Sequence, residues 1–272
     1  MRDFYFYRDM STPDRPIGFF ESGIGGISIW KEVIQLLPNE SCMYLADSKN
    51  APYGMQSKED IIQFSIKNTE FLLNQNAKVI VVACNTATTN AIDVLRARYD
   101  IPFIGIEPAI KPAGLITKTK KIGILATKGT LNSTLFEQTS EKLDPQIEII
   151  EQIGEGLVEL IENGEIHSRE TDHLLHQYLQ PTIAQNIDAL VLGCTHYPYL
   201  VSKIKTILGN DIKIIDSGEA VARQTKKILM RNNQLNSNKN TKVIHQFYTN
   251  KKPDALKKLL DGYSVKVIKT DF

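Results

Sequence analysis

Short apolar runs alternate along this chain with amphipathic stretches, and two of its motifs recur at nearly equal offsets. Together these mark it as α/β, built from two pseudo-symmetric α/β domains. Apolar runs of about four to six residues that do not alternate suit strands covered on both faces. Strands alternating with helices imply right-handed crossovers, so each domain should hold a mainly parallel central sheet flanked by helices. The recurrence makes the domains relatives. Ile17-Gly18-Phe19-Phe20-Glu21-Ser22 matches Ile122-Gly123-Ile124-Leu125-Ala126-Thr127, and Val81-Val82-Ala83-Cys84-Asn85-Thr86 matches Val191-Leu192-Gly193-Cys194-Thr195-His196. A cysteine returns at the same strand end, which two unrelated buried strands would not share. The active site is expected in the cleft between the halves.

Residues 17–20 form the first strand, which stops at a turn rich in glycine, Gly23-Ile24-Gly25-Gly26. That turn lacks the third glycine of a dinucleotide fingerprint, because Ser28 stands there, and it lacks the Walker lysine. It reads as a tight strand-to-helix turn that lets the backbone approach a small anionic substrate. Strands follow at 43–45, 79–83 and 103–106, with amphipathic helices over 58–74 and 87–98. The second half carries strands at 122–125, 147–150, 189–192 and 212–215 and a helix over 168–186. His173 and His176 share a side of that helix, but two ligands without a third make a poor metal site, so no metal is expected. After Asp216 come a helix over 218–230, a polar Asn-rich run at 231–242 read as a surface loop, and a strand–helix–strand pattern. These have no counterpart in a third half and should pack back on the first. The expected domains are therefore 17–110 with 216–272, and 111–215, after an arm at 1–16 whose Phe4, Tyr5, Phe6 and Tyr7 fold onto the body or partly fray.

Composition narrows the function. Across 272 residues the formal net charge is +1 and 42% of residues are hydrophobic, which excludes a disordered chain and a global basic field for nucleic acid or membranes. No apolar core of a secretory signal lies in residues 1–15, and no run approaches the roughly 18 apolar residues of a membrane span. A soluble, cytoplasmic protein is expected. Three cysteines without a CxxC pair form neither a disulfide framework nor a zinc ribbon. Cys42, within Ser41-Cys42-Met43-Tyr44, reads as packing.

Cys84 and Cys194 read differently. Each stands where an apolar strand ends and polar residues begin, the place where open α/β sheets bind ligands. There each should open a helix, whose N-terminal N–H groups favour a thiolate or a bound carboxylate. Two equivalent thiols across a cleft suit stereoinversion at a carbon acid: one thiolate removes a proton from one face and the opposite thiol returns one to the other. No pyridoxal-phosphate anchor lysine stands out, so no cofactor is expected.

The ordered motifs carry a resemblance. They are 18–26 (GFFESGIGG), 46–54 (ADSKNAPYG), 83–87 (ACNTA), 106–109 (IEPA), 193–198 (GCTHYP) and 216–220 (DSGEA). In this order the chain resembles the glutamate racemases of the cofactor-independent aspartate/glutamate racemase superfamily. The resemblance implies interconversion of L- and D-glutamate, with Cys84 acting on the D-isomer and Cys194 on the L-isomer, to supply D-glutamate for peptidoglycan. It places Glu21, Ser22, Pro52, Tyr53, Gly54, Asn85, Thr86, Thr195 and His196 at substrate-binding positions. It also gives Glu21, His196 and Glu107 auxiliary catalytic roles, and Thr127 and Thr130 a carboxylate to bind. Glu21 stands where the family usually has Asp, so its carboxylate sits one methylene further out.

Other readings remain open at this point. An aspartate or hydantoin enzyme of the same superfamily would use the same parts. A thiol hydrolase with Cys194 as nucleophile would leave Cys84 without a role. The resemblance further implies a homodimer and, as in some glutamate racemases, DNA gyrase as a protein partner; direct nucleic-acid or membrane binding is not expected.

Overall fold

The computed structural model describes residues 13–238, 240 and 242–272. The aromatic arm expected at Phe4–Tyr7 lies outside them. In chain order the first stretch runs β1 (Ile17–Glu21), α1 (Ile27–Leu36), β2 (Cys42–Ala46), α2 (Lys58–Asn74), β3 (Val79–Val82), α3 (Asn85–Arg98) and β4 (Phe103–Gly105). Next come α4 (Ile110–Ile116), β5 (Lys121–Ala126), α5 (Lys128–Leu131), α6 (Thr134–Ser140), β6 (Glu148–Ile153), α7 (Leu157–Glu162), α8 (Arg169–Ile183), β7 (Ala189–Gly193), α9 (Val201–Leu208) and β8 (Lys213–Ile215). The chain closes with α10 (Gly218–Arg231), β9 (His245–Thr249), α11 (Asp254–Leu259) and β10 (Lys266–Lys269).

The strands form two all-parallel sheets, ordered β10-β9-β2-β1-β3-β4 and β6-β5-β7-β8. The four strands β2-β1-β3-β4 repeat the order β6-β5-β7-β8, so the sequence repeat corresponds to equivalent central strands: β1 with β5, and β3 with β7. The two strands added beside β2 come from the C-terminal segment.

Both faces of each sheet are covered, which explains the unbroken apolar runs. In β1, Ile17 and Phe19 pack with Trp30 and Val33 of α1 and Val221 and Leu229 of α10. Phe20, on the opposite face, joins Ile61 and Leu72 of α2 and Ala87 and Leu95 of α3. In the second sheet Leu190 and Leu192 pack with Leu157, Leu175 and Ile204, while Ala189 and Val191 pack with Ile110, Ala113 and Phe136. No helix among the described residues is long and apolar enough to cross a membrane.

The polar run after α10 departs from a surface loop. Gln234 and Asn236 are buried. The Gln234 carbonyl accepts from Lys78 Nζ at 2.8 Å, and the Asn236 N–H donates to Glu40 at 2.8 Å. A buried Lys78–Glu40 ion pair at 2.5 Å draws this polar segment inward. His173 and His176 are exposed on α8.

Candidate active site

Parallel pairing points the carboxyl ends of all strands in a sheet the same way, and the candidate residues gather beyond those ends. Cys84 follows β3 and caps α3: its sulfur accepts from the Ala87 N–H at 3.4 Å and reaches Ser22 Oγ at 4.0 Å. The thiol is 4% exposed. Burial holds its pKa well above the ordinary thiol value; the Glu21 charge adds to this, the Ala87 N–H opposes it, and Cys194 is near enough to add further.

Cys194 follows β7 and is 6% exposed. The expectation that both thiols open a helix holds for Cys84 and fails for Cys194. After Cys194 the chain turns through Thr195 and His196 into a short 3-10 helix, Tyr197–Leu200, with Pro198 near its start. Instead of a row of helix N–H groups, Cys194 has a side-chain partner, His196 Nδ1 at 3.7 Å. The half-sites are related but chemically unequal.

His196 is held on its other side. Its Nε2 lies 2.6 Å from Glu162 Oε1, which also accepts the Ile24 N–H at 2.7 Å. Burial disfavours the imidazolium, but the Glu21 charge and the bonds to Cys194 and Glu162 outweigh it and raise the His196 pKa well above its ordinary value. Glu21 is buried, with Ser22 Oγ donating to its carboxylate at 2.8 Å and the Gly23 N–H at 2.5 Å. Burial raises its pKa, the His196 charge working against that shift and Glu162 with it. Glu21, Glu162 and His196 each bring a ligand atom within 4.8 Å of the others, a donor set able to meet a cation, although the His196–Glu162 bond already uses two of them.

Glu162 is the residue that sequence reasoning missed. The run Leu157-Val158-Glu159-Leu160-Ile161-Glu162 reads as ordinary amphipathic helix, and nothing local distinguishes its last acid. The tertiary signal lies in the glycine turn. A Cβ at Gly23 would stand 2.5 Å from Glu162 Cδ, and one at Gly25 2.6 Å from His196 Cε1. The glycines therefore admit side chains from the second sheet's half, a close approach that the sequence did not reveal. Tyr44 and Tyr199 hold the same turn by donating to the Gly23 and Ile24 carbonyls at 3.0 and 3.3 Å.

Three threonines join the halves at a second point. Thr86 Oγ1 lies 2.9 Å from Thr127 Oγ1 and 3.4 Å from Thr130 Oγ1, and Thr127 and Thr130 are 3.0 Å apart. Thr195 passes its carbonyl to Ser28 Oγ at 3.0 Å. In the Pro52-Tyr53-Gly54 turn the Tyr53 hydroxyl faces inward, donating to Asp47 at 2.6 Å, while Gly54 lies against Thr127. Asn85, beside Cys84, is 3% exposed, and among the described residues neither its amide nitrogen nor its oxygen has a hydrogen-bond partner. Leaving such a group buried costs about 1–3 kcal/mol. Glu107 stands apart: its side chain is exposed and lines a separate cavity with Lys111 and Gln224.

A model of the Asp/Glu/hydantoin racemase family matches residues 26–225. The chain belongs to this family. Among family members, the glutamate racemase of Herpetosiphon aurantiacus is 44% identical over 223 residues, covering 82% of this chain and 88% of its own length. That of Pseudomonas syringae is 41% identical over 248 residues, covering 91% and 90%. The crystal structure of a glutamate racemase isoform from Bacillus anthracis superposes with a TM-score of 0.86 at 35% identity, covering 95% of this chain and 98% of that one. A glutamate racemase from Francisella tularensis, solved with D-glutamate, matches with a TM-score of 0.82 at 32% identity, covering 95% and 98%.

Proposed function

We propose that this chain interconverts L- and D-glutamate by proton transfer between Cys84 and Cys194, its D-glutamate serving peptidoglycan synthesis in the cytoplasm. One observation carries the mechanism: two buried thiols stand at equivalent strand ends of the two sheets, close enough for a charge on Cys194 to disfavour one on Cys84. A single-nucleophile reaction gives Cys84 no task. The names of the relatives and the D-glutamate in the Francisella structure support glutamate as the substrate.

The inequality of the half-sites suggests a resting arrangement. Cys84 is kept a thiol by burial and by Glu21, ready to donate a proton. Cys194 has the protonated His196 beside it as counter-charge. On L-glutamate, the Cys194 thiolate takes the α-proton and the C–H electron pair stays on the α-carbon. Cys84 then gives its proton to the opposite face, leaving D-glutamate and a Cys84 thiolate. The reverse reaction starts from that thiolate. Glu21 faces the substrate ammonium, the unpartnered Asn85 amide accepts a polar substrate group, and the Thr86, Thr127 and Thr130 hydroxyls turn from one another to a carboxylate. Since both thiols are almost covered, substrate entry requires residues 17–110 with 216–272 to part from 111–215.

The test is incubation with L-glutamate in deuterium oxide without added cofactor, following optical rotation and α-proton loss, with L-aspartate alongside. Glutamate should invert with α-deuteration, and Cys84→Ser and Cys194→Ser should each abolish inversion. Absence of both D-glutamate and α-exchange would overturn the proposal, and full activity in either serine variant would overturn the two-thiol mechanism.

A further inference from the structure

The C-terminal segment sends one residue to the frame of this site. In the parallel pairing of β9 with β2, Ala46 aligns with Thr249, so Asp47 and Asn250 leave their strands side by side. Asn250 is 3% exposed and uses both ends of its amide: Nδ2 donates to Asp47 Oδ1 at 2.6 Å, and Oδ1 accepts the Lys49 N–H at 2.8 Å. The buried Asp47 carboxylate also accepts from the Tyr53 hydroxyl at 2.6 Å and from Asn50 Nδ2 at 2.9 and 3.0 Å. Among the described residues no lysine or arginine forms an ion pair with it, and the neighbouring Lys49 ammonium pairs with Asp271 instead. Neutral donors among the described residues satisfy this charge, and removing one leaves a buried carboxylate under-bonded.

The brace leads directly to the candidate site. The Asp47 N–H donates to the Glu21 carbonyl at 2.9 Å, and the far end of the segment brings Gly54 against Thr127 and Gly129. We propose that Asn250 is a positioning residue for glutamate racemisation, holding residues 47–54 so that the Pro52-Tyr53-Gly54 backbone meets the substrate between the two halves. This rests on the racemase reading above. It gives the C-terminal strands, which lie beyond the residues matched by the family model, a role in catalysis as well as in completing the sheet.

The experiment compares full-length wild type, Asn250→Ala and Asn250→Asp with L- and D-glutamate, alongside thermal unfolding of each. Losing one bond to a buried charge should raise KM about tenfold in both directions and change kcat much less. Asn250→Asp sets two carboxylates in contact, and the other side chains hydrogen-bonded to Asp47 among the described residues are the Tyr53 hydroxyl and the Asn50 amide. Such a pair binds a shared proton as pH falls. Its KM, relative to wild type at each pH, should therefore recover as pH falls. An unchanged KM in Asn250→Ala, or losses that follow only the folded fraction with no recovery of Asn250→Asp at low pH, overturns the positioning role. A wild-type chain that leaves glutamate unchanged instead sinks the racemase reading, and this inference with it.

Discussion

Gly25→Ala tests the observation that the glycine turn exists to admit His196. Gly25 has no positive φ, so alanine strains no backbone there, and the effect is steric. The added Cβ would lie 2.6 Å from His196 Cε1 and 2.7 Å from Cγ, where ordinary contact begins at 3.4 Å. The ring cannot swing away as a loose side chain would, because Cys194 holds Nδ1 and Glu162 holds Nε2. Relief requires a displacement of about 1 Å, and a misplacement of that size at a reacting centre costs about 10²-fold. The expected result is a kcat/KM for L-glutamate reduced about 10²-fold, or about 2.7 kcal/mol, in a protein that still unfolds cooperatively. The assay is racemisation followed by circular dichroism, repeated in a His196→Ala background. There the methyl has space, and Gly25→Ala should cost less than threefold, a marked non-additivity by the measure of a double-mutant cycle. Wild-type-like activity of Gly25→Ala, or full additivity with His196→Ala, would refute the steric coupling.

Three further outcomes follow from the same geometry. Asn85→Ala breaks no side-chain hydrogen bond among the described residues and removes a buried unpaired amide, so stability to urea should be no lower than wild type while KM for glutamate rises; a large loss of stability would show that the amide has a structural partner. Lys78→Met leaves Glu40 charged and buried and should lower unfolding free energy by about 3–5 kcal/mol, read from the urea midpoint, with racemisation of the folded fraction unchanged. His196 has a folded pKa raised above 6.5, so its stabilisation is complete below about 6.5 and disappears as pH rises through the folded value. Melting temperature should consequently fall on the alkaline side of neutrality in wild type and much less in His196→Asn; equal slopes would contradict a stabilised imidazolium. Glu21, whose pKa burial also raises, adds to that decline from its own lower range.

Much of this was legible in the linear chain because the physics there is local. Runs such as Val79–Val82, covered on both faces, must be continuously apolar, so strands show themselves without knowledge of their neighbours. The paired motifs around Cys84 and Cys194 were visible for a related reason: each thiol sits within a few residues of the polar groups that follow its strand. Their resemblance to a family then supplied a reaction and a set of positions.

Tertiary structure decided whatever depends on residues far apart in the chain. Glu162 has no local mark, yet α7 brings it within reach of both His196 and the glycine turn. The same packing shows why Gly23 and Gly25 lack side chains, a reason that lies more than a hundred residues away. Gln234 and Asn236 look like loop surface until Lys78 and Glu40 give them buried partners. Composition and periodicity follow from burial, which each residue meets individually, and they determined the layered α/β halves and the matched thiols. Distances between side chains on different elements exist only after the sheets form, and they decided that one thiol is served by a helix N-terminus and the other by a buried histidine.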